Sequence, residues 1–155
     1  MALVLKPPAP LALEPGRAIV FLAGSIEMGV AEDWQAAVSA AIDDLEVVIL
    51  NPRRDAWDAS WKQSILEPRF REQVEWELDG QERATVIALY FAPGTQSPIS
   101  LLELGLFAQT GKVVVCCPDG FWRKGNVEIV CARYGVPLAS DLASLVAQLR
   151  ARLSG

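Results

Sequence analysis

The chain has 155 residues, 52% of them hydrophobic, with a net charge of −5 and no histidine. That length suits one domain with a sizeable core, and the acidic balance argues against nucleic acid as a partner, since neutralising phosphates needs a basic face. The missing histidine removes Ser-His-Asp and Cys-His chemistry and the usual zinc ligand sets, so acid–base work falls to carboxylates.

Mean hydropathy of +0.25 points to extensive burial or a subunit interface. No apolar run approaches the ~20 residues that span a bilayer, and the N-terminus carries no signal-peptide pattern. The default expectation is a cytoplasmic protein. Ala2 to Pro15 is rich in Pro and Leu without periodicity and reads as an arm (residues 1–16) ahead of a single domain over 17–155.

Ala18 to Ala23 is a continuous apolar run, as a strand buried on both faces should be. It ends at Gly24-Ser25. The turn from Gly24 to Gly29 is either a generic tight turn or a place where backbone N–H groups face a ligand. It is not G-x-G-x-x-G and there is no Walker motif, so neither a nicotinamide nor any other cofactor is implied. A helix pattern follows from about Ala31 to Leu45, with Trp34, Val38 and Ile42 at helical spacing. Glu46 to Leu50 is a second strand, closed by Asn51-Pro52. The polar segment Arg53 to Leu66, carrying Asp55, Trp57, Asp58 and Trp61, is long for a connection and favours a binding role.

Pro68 opens a helix to about Arg83, with Phe70, Val74 and Leu78 as its apolar line. Glu77 either lies on that inward face or sits at its exposed edge, whereas Asp79 projects elsewhere. Residues 84–91 form a third strand. After the Pro93-Gly94 turn, Ser97 is a suitable N-cap and Pro98 suits the first helical position. In that helix Ile99, Leu102, Glu103, Leu106 and Phe107 share one face. A carboxylate in an apolar stripe needs a reason. Glu103 sits at the stripe's edge, pairs with a buried Arg, or is a catalytic carboxylate where α/β folds place their ligands.

Lys112 to Cys117 is a fourth strand, closed by Pro118-Asp119-Gly120. Cys116 and Cys117 end its apolar run and, with Cys131, read as core thiols rather than a disulfide or metal pair. Asn126 reads as the N-cap of a helix to about Tyr134, Val136 to Leu138 as a fifth strand, and Asp141 to Leu153 as a last amphipathic helix. Alternating strands and helices predict a flavodoxin-like or Rossmann-like three-layer α/β sandwich around a five-stranded, mostly parallel sheet. Glu77 and Glu103 are then expected to point inward from the helices flanking one strand. Two carboxylates at one cleft is the arrangement that cleaves glycosidic bonds.

Phe21-Leu22-Ala23-Gly24-Ser25, Asn51-Pro52-Arg53-Arg54-Asp55, Ser97 to Gly105 with its Glu-Leu-Gly, and Gly120 to Asn126 together resemble the nucleoside 2-deoxyribosyltransferase-like family, over roughly residues 17–138. The resemblance implies a double displacement on 2′-deoxynucleosides and free bases, with Glu103 as the nucleophile on C1′ and retention of configuration. It aligns Glu77, or failing that Asp79, with an assisting aspartate. A further family aspartate falls near Ser97. It also aligns Asn126 with an asparagine lent by a neighbouring subunit to the sugar 5′-hydroxyl, which implies a homo-oligomer with shared active sites. In such a site Trp57 and Trp61 could stack on a base, or pack at an interface, and Asn51 and Asp55 could read the base's edge. Two other readings share the fold: a nucleoside 5′-monophosphate N-glycosidase with phosphate held at Ser25 and Ser97, and a nucleotide-sensing module without turnover.

Overall fold

The apolar runs of the sequence become a sheet because neither of their faces has polar side chains to offer water. The computed structural model describes residues 1–11, 13–26, 32–53 and 60–154. The strands are β1 (Leu3–Leu5), β2 (Ala18–Gly24), β3 (Val47–Leu50), β4 (Val86–Tyr90), β5 (Val113–Cys116) and β6 (Leu138–Ala139). The helices are α1 (Trp34–Ala41), α2 (Pro68–Arg83), α3 (Pro98–Phe107), α4 (Lys124–Tyr134) and α5 (Leu142–Leu153). The sheet order is β1-β3-β2-β4-β5-β6 and every pairing is parallel.

The expected five strands are present as β3-β2-β4-β5-β6, the flavodoxin-like order. The sixth strand lies within residues 1–16, the segment read from the sequence as an arm. Leu3, Val4 and Leu5 pair with Val48, Ile49 and Leu50, and the Asn51 N–H donates to the Leu5 carbonyl at 2.9 Å. Three residues are too few to show a period, which is why the strand is invisible as a pattern. The rest of the segment is strapped over α2 by Trp76 Nε1, which donates to the Ala9 carbonyl at 2.9 Å.

Two cores lie on opposite faces of the sheet. On one, Val20, Leu22, Ile49 and Ala88 pack against Trp34 and Val38 of α1 and Leu145 and Leu149 of α5. On the other, Phe21, Ala23, Leu50, Ile87 and Leu89 pack against Trp76 of α2, Leu104 and Phe107 of α3, and Val127 and Cys131 of α4. Each fully buried Leu, Ile or Phe contributes ~1.5–3 kcal/mol, so the alternation along β2 ties both helical layers to one strand. Cys116, Cys117 and Cys131 are buried free thiols, as expected, and burial pushes Cys116 up to about 12.

Two helix starts differ from expectation. The N-cap of α4 is Arg123, so Asn126 lies within the helix's first turn and does not cap it. Ser97 does occupy the N-cap position of α3, with Pro98 first in the helix, but its backbone is left-handed (φ 45°) and its hydroxyl makes no capping bond. That hydroxyl is drawn instead into a buried cluster beneath the helix start.

Candidate active site

Glu103 lies one and a half turns into α3, and its side chain is buried. The face of α3 turned to the sheet is Ser100, Glu103, Leu104 and Phe107. Ile99, Leu102 and Leu106, expected inside, are exposed instead. Because α3 is apolar on nearly every side, helical spacing could not choose the inner face; packing against β2 and β4 does.

Glu103 lies within the buried face of α3 rather than at its edge, and among the described residues it has no arginine partner. Its partner is the amide of Gln81, near the end of α2, whose Nε2 donates to Glu103 Oε2 at 2.6 Å. Burial pushes the Glu103 carboxyl up to about 7, against the lowering effect of that hydrogen bond. The helix dipole does not offset burial here, since its field fades beyond the first turn.

Glu77 is half-buried on α2, one turn before Gln81. The buried line of that helix is Gln73, Trp76, Gly80 and Gln81, while Phe70, Val74 and Leu78, expected as its core line, are only half-buried. Gln81 also donates to the Glu77 backbone carbonyl at 3.1 Å, so it ties Glu103 to the backbone of α2 and not to the Glu77 carboxylate. The Glu77 carboxylate accepts from Gln73 Nε2 at 3.4 Å, and Gln73 donates to the Pro52 carbonyl at 3.2 Å. Two amides on α2 thus flank Glu77, Gln73 holding its carboxylate and Gln81 its backbone carbonyl. Asp79 is exposed, as expected.

Gly24 ends β2 with φ 138°, and a Cβ there would lie 2.4 Å from the Tyr90 carbonyl oxygen and 2.9 Å from the Trp34 ring. Close packing of β2, β4 and α1 therefore demands this glycine. Ser25 is buried: its N–H donates to the Tyr90 carbonyl at 2.9 Å and its Oγ accepts from the Ala92 N–H at 2.8 Å. The Oγ also meets Ser97 Oγ and, at 3.2 Å, Thr95 Oγ1, while Thr95 and Ser97 are 2.8 Å apart. Three hydroxyls thus knit the end of β2 to the start of α3. Thr95 was not singled out in the sequence.

Asn51 is buried at the end of β3, where its Oδ1 accepts from the Arg53 N–H at 3.0 Å. Nearby, Tyr90 donates to Glu32 Oε1 at 2.7 Å, and burial together with that carboxylate pushes the phenol well above its usual value. Asp55 and Trp57 lie outside the described residues. Trp61 is half-buried with the Arg69 guanidinium 5.2 Å from its ring centre. Asn126 is exposed and borders a small crevice between α3 and α4 with Leu101, Leu104, Gly105, Val127 and Val130.

The family model for nucleoside 2-deoxyribosyltransferase-like proteins matches residues 17–121, a span that runs from the start of β2 past β5 and contains Glu77, Gln81 and Glu103. The chain belongs to the nucleoside 2-deoxyribosyltransferase-like family. No curated protein matches it significantly. Membership of this family associates the chain with glycosyl transfer on nucleosides. Among the described residues, no helix is long and apolar enough to cross a membrane.

The residue touching Glu103 that the sequence reading missed is Gln81. Its signal was available, because Gln73, Glu77 and Gln81 recur at i, i+4 and i+8 on one side of α2.

Proposed function

We propose that the protein is a nucleoside 2′-deoxyribosyltransferase that carries 2-deoxyribose between purine or pyrimidine bases on Glu103. In the first step a Glu103 carboxylate oxygen bonds to C1′ on the face opposite the base. The C1′–N bond breaks, its electron pair leaves with the base, and the base takes up a proton; Glu77 is the carboxyl placed to assist. In the second step a nitrogen of another base attacks C1′ while its N–H proton passes to Glu77, and the C1′–O bond breaks with its electron pair returning to Glu103, so two inversions give retention. Neither step needs a metal or a cofactor.

The observation that carries this reading is a buried carboxylate whose hydrogen-bond partner is a neutral amide. A structural glutamate is expected to be exposed or matched to a cation, because burying an uncompensated charge is costly. A nucleophile gains from the same arrangement, since a poorly hydrated carboxylate has less water to shed before it attacks. A midpoint near 7 still leaves a substantial anionic fraction at neutral pH.

Base exchange tests the proposal: thymidine or 2′-deoxyinosine is incubated with adenine or cytosine, using wild type beside Glu103→Ala. A new deoxynucleoside formed by wild type alone is expected. Equal exchange by Glu103→Ala would refute the role of Glu103, and free base with free deoxyribose would indicate hydrolysis instead. The engagement of Ser25 and Ser97 hydroxyls with each other favours transfer over the 5′-monophosphate hydrolase, whose phosphate would need those donors.

The working unit is a homo-oligomer with shared sites. Supporting this, α3 exposes Ile99, Leu102 and Leu106 beside the Glu103 helix face, and Asn126 stands exposed on the neighbouring α4. Sedimentation at micromolar protein should give a mass above the 16.8 kDa of one chain; a monomer would leave Asn126 without the role proposed for it.

A further inference from the structure

Beside Glu103, the buried side chain with the most specific chemistry is Gln81. It is fully buried, and both protons of its amide are committed: one to Glu103 Oε2 at 2.6 Å, the other to the Glu77 carbonyl at 3.1 Å. Its own Oε1 is buried and makes no hydrogen bond. A side chain serving only to fill space would not be an amide with an orphaned acceptor, because methionine or leucine would occupy the volume without that penalty. The amide's direction is also determined. The Glu77 carbonyl can only accept, so Nε2 must lie on its side, and the remaining proton necessarily points at Glu103.

We infer that Gln81 is the positioning residue of the nucleophile, holding Glu103 Oε2 so that Oε1 is the oxygen that bonds to C1′. The inference rests on the reading of Glu103 as the nucleophile. A short N–H···O⁻ bond stabilises the anion and locks the carboxylate's rotation, leaving the free oxygen aimed. The arrangement suits the ionised carboxylate. A protonated Glu103 would want an acceptor, and the Glu77 carbonyl prevents Gln81 from turning its oxygen toward it. Gln81 therefore opposes the burial that raises the Glu103 midpoint.

The scaffold keeps this contact tight. At Gly80 a Cβ would lie 2.8 Å from the Phe21 ring and 3.1 Å from Leu50 Cδ1, so α2 sits against the sheet as closely as a glycine allows. The residues of β2 facing this layer, Ile19, Phe21 and Ala23, carry no charge. On α4 the inward titratable group is Cys131, pushed up to about 11 and so neutral. On α2 the Glu77 backbone carbonyl shares the amide, while the Glu77 carboxylate, the charged group one turn away, accepts from Gln73.

The near-isosteric Gln81→Met removes the donor and keeps the volume. Carboxyl-carbon NMR of ¹³C-glutamate-labelled protein, with the Glu103 signal assigned by its loss in Glu103→Gln, reads the titration directly. The expected result is a roughly tenfold fall in the acid dissociation constant of Glu103. The base-exchange rate should fall at every pH, by roughly tenfold more at and below pH 6 than at pH 9, with KM for the nucleoside little changed. An unmoved midpoint with a rate loss equal at every pH would overturn the inference and leave Gln81 a packing residue. Should Gln81→Met not fold, the wild type decides: a Gln81 side-chain amide proton must titrate with the Glu103 midpoint, and one that ignores it refutes the contact's role. A shifted midpoint in proteins that exchange no bases would leave the Gln81 contact intact and overturn the deoxyribosyl-transfer reading instead.

Discussion

Glu103→Gln offers a direct measure of what burying this carboxyl costs. In the unfolded chain the group titrates near its ordinary 4.5, whereas in the folded protein it titrates at about 7. The folded state therefore holds its proton more tightly. Below pH 4.5 both states are protonated and the fold suffers no penalty. As pH rises toward and past 7 the unfolded state ionises first, and stability is lost; the loss is roughly 3 kcal/mol once both forms are ionised. That is a large part of the ~5–15 kcal/mol that holds a domain together, and corresponds to a fall in Tm on the order of 10 °C. The pH window is unusually clean because the chain has no histidine. The assay is urea unfolding at pH 5, 6, 7 and 8.5, followed by the fluorescence of the five tryptophans. Wild type should lose roughly 2.5 kcal/mol across this range relative to Glu103→Gln. The constant offset between the two proteins carries whatever the amide itself contributes and does not matter. Parallel curves would mean that Glu103 titrates alike in both states, and the account of a desolvated nucleophile would fail.

The same midpoint sets the rate profile. Because the nucleophile must be anionic, kcat/KM for base exchange should rise tenfold per pH unit well below 7 and level off above it; a profile flat from pH 5.5 to 8 would contradict this. Gly80→Ala should destabilise the fold by ~1–3 kcal/mol in denaturant titration, since its methyl would press on the Phe21 ring from 2.8 Å. An unchanged midpoint of unfolding would show that α2 can shift outward freely.

The strands were legible because the chemistry of burial is local. Val47–Leu50, Val86–Tyr90 and Val113–Cys116 are buried along their whole length, and no polar residue interrupts them. The glutamate at 103 was legible for the opposite reason: a carboxylate amid Leu and Phe is anomalous in any fold. The parallel order followed from strands that alternate with helices. By itself, then, the amino-acid sequence determined the architecture, the anomalous glutamate and the family.

Other features waited on tertiary structure. The inner face of α3 was decided by β2 and β4, because a helix apolar on every side has no preferred orientation until it packs. Leu3–Leu5 became a strand only because β3 offered an unpaired edge. Ser97 exchanged its capping role for a hydroxyl cluster whose other members, Ser25 and Thr95, come from a different strand end and a turn. Gln81 meets Glu103 across 22 positions of sequence. Only the close approach of α2 to Phe21 decides that a neutral amide, rather than a cation, faces the buried carboxylate.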